Sequence, residues 1–113
     1  MKRFHTGKRL SEMTVHNGTA YLAGQVAEDG SQDIRGQTQQ VLGAIDKLLA
    51  EAGSDKSRIL MAQIFIADLA EFPAMNEVWD AWVAPGNAPC RATVQARLAK
   101  PEWKVEIVVT AAR

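Results

Sequence analysis

The chain holds one cysteine, Cys90, among its 113 residues. A lone thiol closes no internal disulfide, and the two histidines, His5 and His16, form no Cys–His cluster with metal-ligand spacing. An excess of one charge is also missing, because thirteen basic residues balance thirteen acidic ones for a formal net charge of zero. Nucleic-acid affinity rests on neutralised phosphates and normally shows as a basic excess gathered on one face, so no nucleic-acid partner is expected. No apolar run approaches membrane-spanning length. The opening Met1-Lys2-Arg3-Phe4-His5-Thr6-Gly7 has no apolar stretch behind its basic pair, unlike a signal peptide. The expectation is a protein of the reducing cytoplasm with no membrane partner. Gly24-Gln25 lacks the spacing of a phosphate loop. With no repeat, linker or low-complexity segment, the length fits one domain over residues 1–113.

What the chain does hold is periodicity. Met13 and Val15 alternate with Glu12 and Thr14, and Ala20-Tyr21-Leu22-Ala23 follows the intervening His16-Asn17-Gly18-Thr19. Asn-Gly between two such runs predicts a hairpin, since a type I′ turn requires positive φ at both central residues. Ile34, Thr38, Val41, Ile45, Leu48 and Ala52 then recur at spacings of four and three, widened by Leu42 and Leu49, which predicts a helix. Asp33 is its expected N-cap, and Gly53 its expected left-handed C′ residue. Residues 59–67 are almost wholly apolar, as in a strand covered on both faces within a parallel β-α-β unit. A second helix is predicted from Phe72, Met75, Trp79, Trp82 and Val83 on one stripe; Pro73 is tolerated only in its first turn, and Pro85-Gly86 ends it.

Two further strands are expected at 91–98 and 103–111. In the first, Ala92, Val94, Ala96 and Leu98 share one face, while Arg91, Thr93, Gln95 and Arg97 share the other. The order ββ-α-β-α-ββ describes an α+β, two-layer sandwich in which two helices pack on one face of a mixed sheet. The uncovered face carries Thr93, Gln95, Arg97 and Val108, neither a clean core nor a solvated surface, and association with symmetry mates is the expected way to cover it.

Arg91 and Glu106 fall on the last two strands, read as adjacent and antiparallel across a short turn. A surface salt bridge, worth about 1 kcal/mol or less, is one account of the pair. The other is chemical: Arg91 presents a bidentate fork to a substrate carboxylate while Glu106 handles a water. Other residues invite functional readings that fit less well. Cys90 lacks an activating partner and is expected as a buried or pocket-edge thiol. Trp79 and Trp82 have the spacing of packing residues, His16 flanks the turn, and Lys47, Lys56 and Arg58 form a scattered solvated rim.

The run Ala88-Pro89-Cys90-Arg91-Ala92-Thr93-Val94-Gln95-Ala96-Arg97-Leu98, followed by Lys104-Val105-Glu106-Ile107, resembles the C-terminal signature of the RidA/YjgF family. Leu22-Ala23-Gly24-Gln25 and Phe72-Pro73-Ala74-Met75-Asn76-Glu77-Val78-Trp79 match in place and order. Ala74-Met75-Asn76 and Trp79-Asp80-Ala81-Trp82-Val83 are similar to the YoaB-type branch. The resemblance spans about 11–111. It implies a chorismate-mutase-like fold assembled as a trimeric barrel, with active sites between subunits. It also implies hydrolysis of 2-imino acids and enamines such as 2-aminoacrylate to 2-oxo acids and ammonia, with no metal and no organic cofactor. By the same resemblance Arg91 binds the substrate carboxylate, Glu106 stands near the catalytic water, and Gly24 and Asn76 line the pocket. Three positions depart from the family pattern: Ala23 replaces a pocket serine, Thr93 a cysteine, and Leu10 stands near the family's N-terminal tyrosine. Thr93 is kept as a substrate-binding candidate. The resemblance leaves two alternatives, a non-catalytic module that binds small carboxylates and an endoribonuclease, a label carried by some relatives.

Overall fold

A computed structural model describes residues 1–113. Six strands form one sheet in the order β1-β2-β3-β6-β4-β5, and two helices lie on one of its faces. Strands β2 (Ser11–His16) and β3 (Thr19–Leu22) are the expected hairpin. Asn17 and Gly18 sit at φ of 50° and 77°, as a type I′ turn demands. Strand β1 (Lys2–Thr6) was not anticipated. It has one apolar residue, Phe4, and pairs antiparallel with the outer edge of β2, so its place rests on backbone hydrogen bonds more than on side-chain burial.

Helix α1 (Ile34–Glu51) begins at Asp33, whose carboxylate accepts from the Gly36 N–H at 2.8 Å. It ends before Gly53 in the left-handed region, at φ 76°. Its apolar stripe packs on the sheet within a core of 21 buried hydrophobic residues, which includes Ile45, Leu49, Ile64 and Ile107. Strand β4 (Ile59–Ile66) leads through a short 3-10 turn into α2 (Phe72–Trp82), where Pro73 occupies the first turn. No helix is long and apolar enough to cross a membrane.

The last two strands depart from expectation. Strand β5 (Cys90–Gln95) pairs in parallel with β4, and β6 (Val105–Ala112) pairs antiparallel with the other side of β4. They are therefore not neighbours. A strand-helix-strand unit returns β5 parallel to β4, as the apolar run at 59–67 implied, and β6 is then left the opposite edge of that strand. The faces of β5 are also the reverse of those expected. Arg91 pairs with Ala62 and Thr93 with Ile64, both fully buried beneath the helices, so Arg91 and Thr93 face α2. Ala92 and Val94 pair with Gln63 and Phe65 on the uncovered face. The alternation was right, but burial was assigned by apolarity, which fails on an edge strand whose apolar side has no cover within the chain. Leu60, Met61, Tyr21 and Val94 are exposed large side chains, and the last three lie on that uncovered face.

Gln37, fully buried on α1, ties the loops to this frame. Its Nε2 donates to the carbonyls of Gly30, Gln32 and Glu102 at 3.2, 3.1 and 2.9 Å, and its Oε1 accepts from the Lys104 N–H at 2.9 Å. In the same loop the Asp29 carboxyl is held below its ordinary range by the Ser31 hydroxyl, then the Gln32 amide, then the Ser31 N–H. That contribution is present above the carboxyl's unfolded pKa and is lost as pH falls through its lowered folded value. Gln37→Leu keeps the volume but strips partners from several backbone groups. It is expected to lower stability by about 2–4 kcal/mol in urea unfolding, with an unchanged m-value.

Candidate functional site

Helix α2 builds one half of the site. Phe72, Asn76 and Trp79 stand at i, i+4 and i+7, so they share a stripe on the helix surface. Arg91 rises from β5 against that stripe. Its Nη1 donates to Asn76 Oδ1 at 2.9 Å. The guanidinium carbon lies 5.2 Å from the Trp79 ring centre and 5.6 Å from that of Phe72. Both distances fall in the range where an aromatic face attracts a cation. Asn76 thus stands on the helix in contact with Arg91. Phe72 and Trp79 were read only as packing residues, and the signal that exposes their second role is the i, i+4, i+7 relation to Asn76.

Arg91 is half-buried and makes no ion pair; the chain's only two are Arg35–Glu77 and His5–Glu51. A guanidinium carries five N–H donors in a planar fork, and one is spent on Asn76. Thr93, two residues along the same face, has a buried hydroxyl oxygen with no hydrogen-bond partner. Buried polar atoms are nearly always satisfied, so an orphan beside an unpaired cation marks a place where a ligand oxygen fits.

The other half lies across the sheet. Between the Tyr21↔Thr110 and Gln25↔Ile107 pairs, the first strand advances four residues while β6 advances three. This is a β-bulge, a device that re-aims the backbone next to functional sites. It presses Gly24 against Glu106: a Cβ on Gly24 would stand 1.9 Å from Glu106 Oε2 and 2.8 Å from its Cδ. Gln25 locks the bulge through reciprocal backbone hydrogen bonds with Ile107 at 2.9 and 3.1 Å. Its Nε2 also donates to Glu12 Oε2 at 2.9 Å and to the Ala23 carbonyl at 3.0 Å.

These two halves do not meet in one chain. Glu106 pairs with Phe65 on the uncovered face, whereas Arg91 pairs with Ala62 on the helix face, with β4 between them. The surface salt bridge read from their supposed adjacency is therefore absent. None of the four clefts of the chain is lined by Arg91, Gly24, Asn76, Thr93 or Glu106. Cys90, expected as a buried or pocket-edge thiol, is exposed and pairs with Met61 on the uncovered face. Trp79 is buried, and Trp82 donates its indole N–H to Asp46 at 3.0 Å, consistent with packing roles.

The architecture defines a class, two helices on one face of a mixed six-stranded α+β sheet, and comparison with known proteins narrows it. The chain belongs to the Endoribonuclease L-PSP family, the YjgF/RidA group, whose model matches residues 1–113. A RutC family protein of Haemophilus ducreyi is 57% identical over 110 residues, covering 97% of this chain and 94% of the relative. The RutC family protein YoaB of Escherichia coli is 48% identical over 110 residues, covering 97% and 96%. Among solved structures, a YjgF-family member from Neisseria meningitidis superposes with a TM-score of 0.97 at 49% identity, covering 99% of this chain and 93% of that one. A Rid-family protein of Yersinia pestis superposes at 0.88 with 29% identity, covering 96% and 90%.

Gly24→Ala tests the bulge half. The conflict falls on the far end of a flexible side chain, so stability is expected to change by about 1 kcal/mol or less. The Glu106 carboxylate must move, and its Cδ chemical shift in carbon-13 NMR is expected to change; an unaltered resonance would contradict the close approach.

Proposed function

We propose that this protein hydrolyses 2-imino acids, and enamine tautomers such as 2-aminoacrylate, to 2-oxo acids and ammonia. The reaction takes place in a cleft shared between copies of the chain in a homotrimer and uses neither metal nor organic cofactor. The observation that carries this reading is the Arg91 guanidinium: half-buried, oriented by Asn76, flanked by two aromatic rings, and unpaired with any carboxylate of its own chain. Such a group matches a small carboxylate, which takes a bidentate fork. Family membership supports the chemistry, and by resemblance Arg91 and Glu106 match the family's carboxylate-binding arginine and acidic residue.

The shared cleft follows from the separation of the halves. Arg91, Asn76 and Thr93 lie on one side of the sheet, Gly24 and Glu106 on the other. The exposed Tyr21, Met61 and Val94 on the Glu106 face give copies of the chain a reason to associate.

The mechanism asks little of the protein. A protonated imine carbon is already electrophilic. Arg91 fixes the carboxylate and sets C2 beside a water, and orientation of this kind can lower a barrier by several kcal/mol, at most about 7–11. Water adds to C2 as Glu106 accepts its proton. The same carboxyl then returns that proton to nitrogen, and as the C–N bond breaks the C2 hydroxyl gives up its own proton to solvent, leaving the 2-oxo acid and ammonia. Acid–base help of this sort is typically worth about 10²–10⁴-fold. Thr93 offers its unpartnered hydroxyl to the bound carboxylate.

The test couples an amino-acid oxidase to the protein and follows disappearance of the imine. The native chain is expected to accelerate hydrolysis, Glu106→Gln to lower the rate about 10²–10⁴-fold, and Arg91→Ala to abolish it with the oligomer intact. Undiminished turnover by Arg91→Ala refutes the assignment. Saturable binding of 2-oxo acids without turnover favours a non-catalytic carboxylate-binding module. RNA cleavage that survives repurification and vanishes in the Arg91 variant favours the endoribonuclease reading, against which the balanced charge stands.

A further inference from the structure

Strands β4 and β5 run parallel and end together at Ile66 and Gln95. Beyond those carboxyl ends lies a cleft of about 390 Å³. Ala67, Leu98, Pro101 and Trp103 provide apolar walls, Arg97 and Lys100 supply the charge, and no acidic side chain lines it. Neither cation belongs to an ion pair. Lys100 Nζ stands 5.0 Å above the centre of the Trp103 indole, so one wall combines a positive charge with an aromatic ring.

The cleft is built rather than left over. Its frame is pinned by backbone hydrogen bonds from the Ala67 N–H to the Lys104 carbonyl and from the Ala96 N–H to the Ile66 carbonyl, each 3.0 Å. The Trp103 N–H reaches the Lys100 carbonyl at 3.1 Å, and Gln95 Oε1 accepts from the Leu69 N–H at 2.9 Å. Buried Gln37 holds the Glu102 carbonyl and the Lys104 N–H from below. The backbone frame of the walls is therefore ordered before any ligand arrives, which lowers the entropic cost of binding.

We infer that this cleft is a second anion site, separate from Arg91, which takes a small organic carboxylate with an apolar body. Arg97 and Lys100 receive the carboxylate, and Leu98, Pro101 and Trp103 cover the hydrocarbon. Within one chain Arg91 lies opposite Ala62, while the cleft opens beyond Gln95 and Ile66 at the other end of the same strand pair. A bare inorganic anion would meet the cations and leave the apolar walls unused; an uncharged ring would do the reverse.

The test titrates the full chain with benzoate, benzamide and inorganic phosphate, by calorimetry and by the Trp103 indole N–H resonance. Benzoate is expected to bind saturably and shift that resonance, and the other two to bind much more weakly. Replacing both Arg97 and Lys100 by Ala, or by Gln as a milder pair, is expected to weaken benzoate roughly tenfold or more. Both side chains are exposed, so the fold is expected to survive either pair. Arg91→Ala is expected to leave the benzoate-induced Trp103 shift and its midpoint unchanged, whatever it does to imine hydrolysis or to benzoate held at Arg91 itself. A Trp103 midpoint unmoved by the paired substitutions, a Trp103 shift lost in Arg91→Ala alone, or phosphate or benzamide shifting Trp103 at concentrations as low as benzoate would each overturn the inference.

Discussion

The position of β4 between β5 and β6 is the constraint from which the rest follows. It separates the unpaired guanidinium of Arg91, oriented by Asn76 on the helix side, from the carboxylate that the bulge brings against Gly24. A cation on one side of a sheet and a carboxylate on the other cannot neutralise each other, so each keeps its capacity for an outside partner. Arg91 also loses hydration against the rings of Phe72 and Trp79, which makes a carboxylate ligand more valuable to it than it would be to an exposed arginine. The same arrangement explains why neither half is a pocket in one chain and why assembly and chemistry are coupled in the proposed account.

Much of the fold was legible because local signals agreed with one another. Asn17-Gly18 specified its turn, Asp33 and Gly53 bounded α1, and Pro73 sat in the first turn of α2. Strand β1 was invisible for a physical reason: Lys2-Arg3-Phe4-His5-Thr6 carries almost no apolar signal, and edge strands depend on a backbone pairing that leaves no trace in side chains. The β5–β6 hairpin failed because a short polar connection does not choose between pairing partners. The apolar run at 59–67 favours a parallel neighbour, and once β5 takes that place beside β4, with β6 on the other side, it cannot also pair with β6 as a hairpin.

At the candidate site, residues could be nominated from the sequence but their geometry could not. Resemblance nominated Arg91, Glu106, Gly24 and Asn76, and the structure sets Arg91 against Asn76 and Gly24 against Glu106. Which face each occupied required the register. The assumption that Ala92 and Val94 point inward placed Arg91 and Thr93 on the wrong side, because apolar residues on an edge strand can be reserved for another copy of the chain. The orphan hydroxyl of Thr93 and the aromatic flanks of Arg91 emerged only from the packing of α2 on β5.

The most direct test of the central claim is complementation in mixed oligomers. Arg91→Ala and Glu106→Gln chains, the first inactive and the second strongly impaired alone, are unfolded together in equal amounts, refolded and assayed for imine hydrolysis. If one copy contributes the arginine and its neighbour the carboxylate, random assembly restores on the order of a quarter of the native sites, and activity returns with them. If both groups serve the same chain's site, every site lacks one of them, and the mixture stays as inactive as its components.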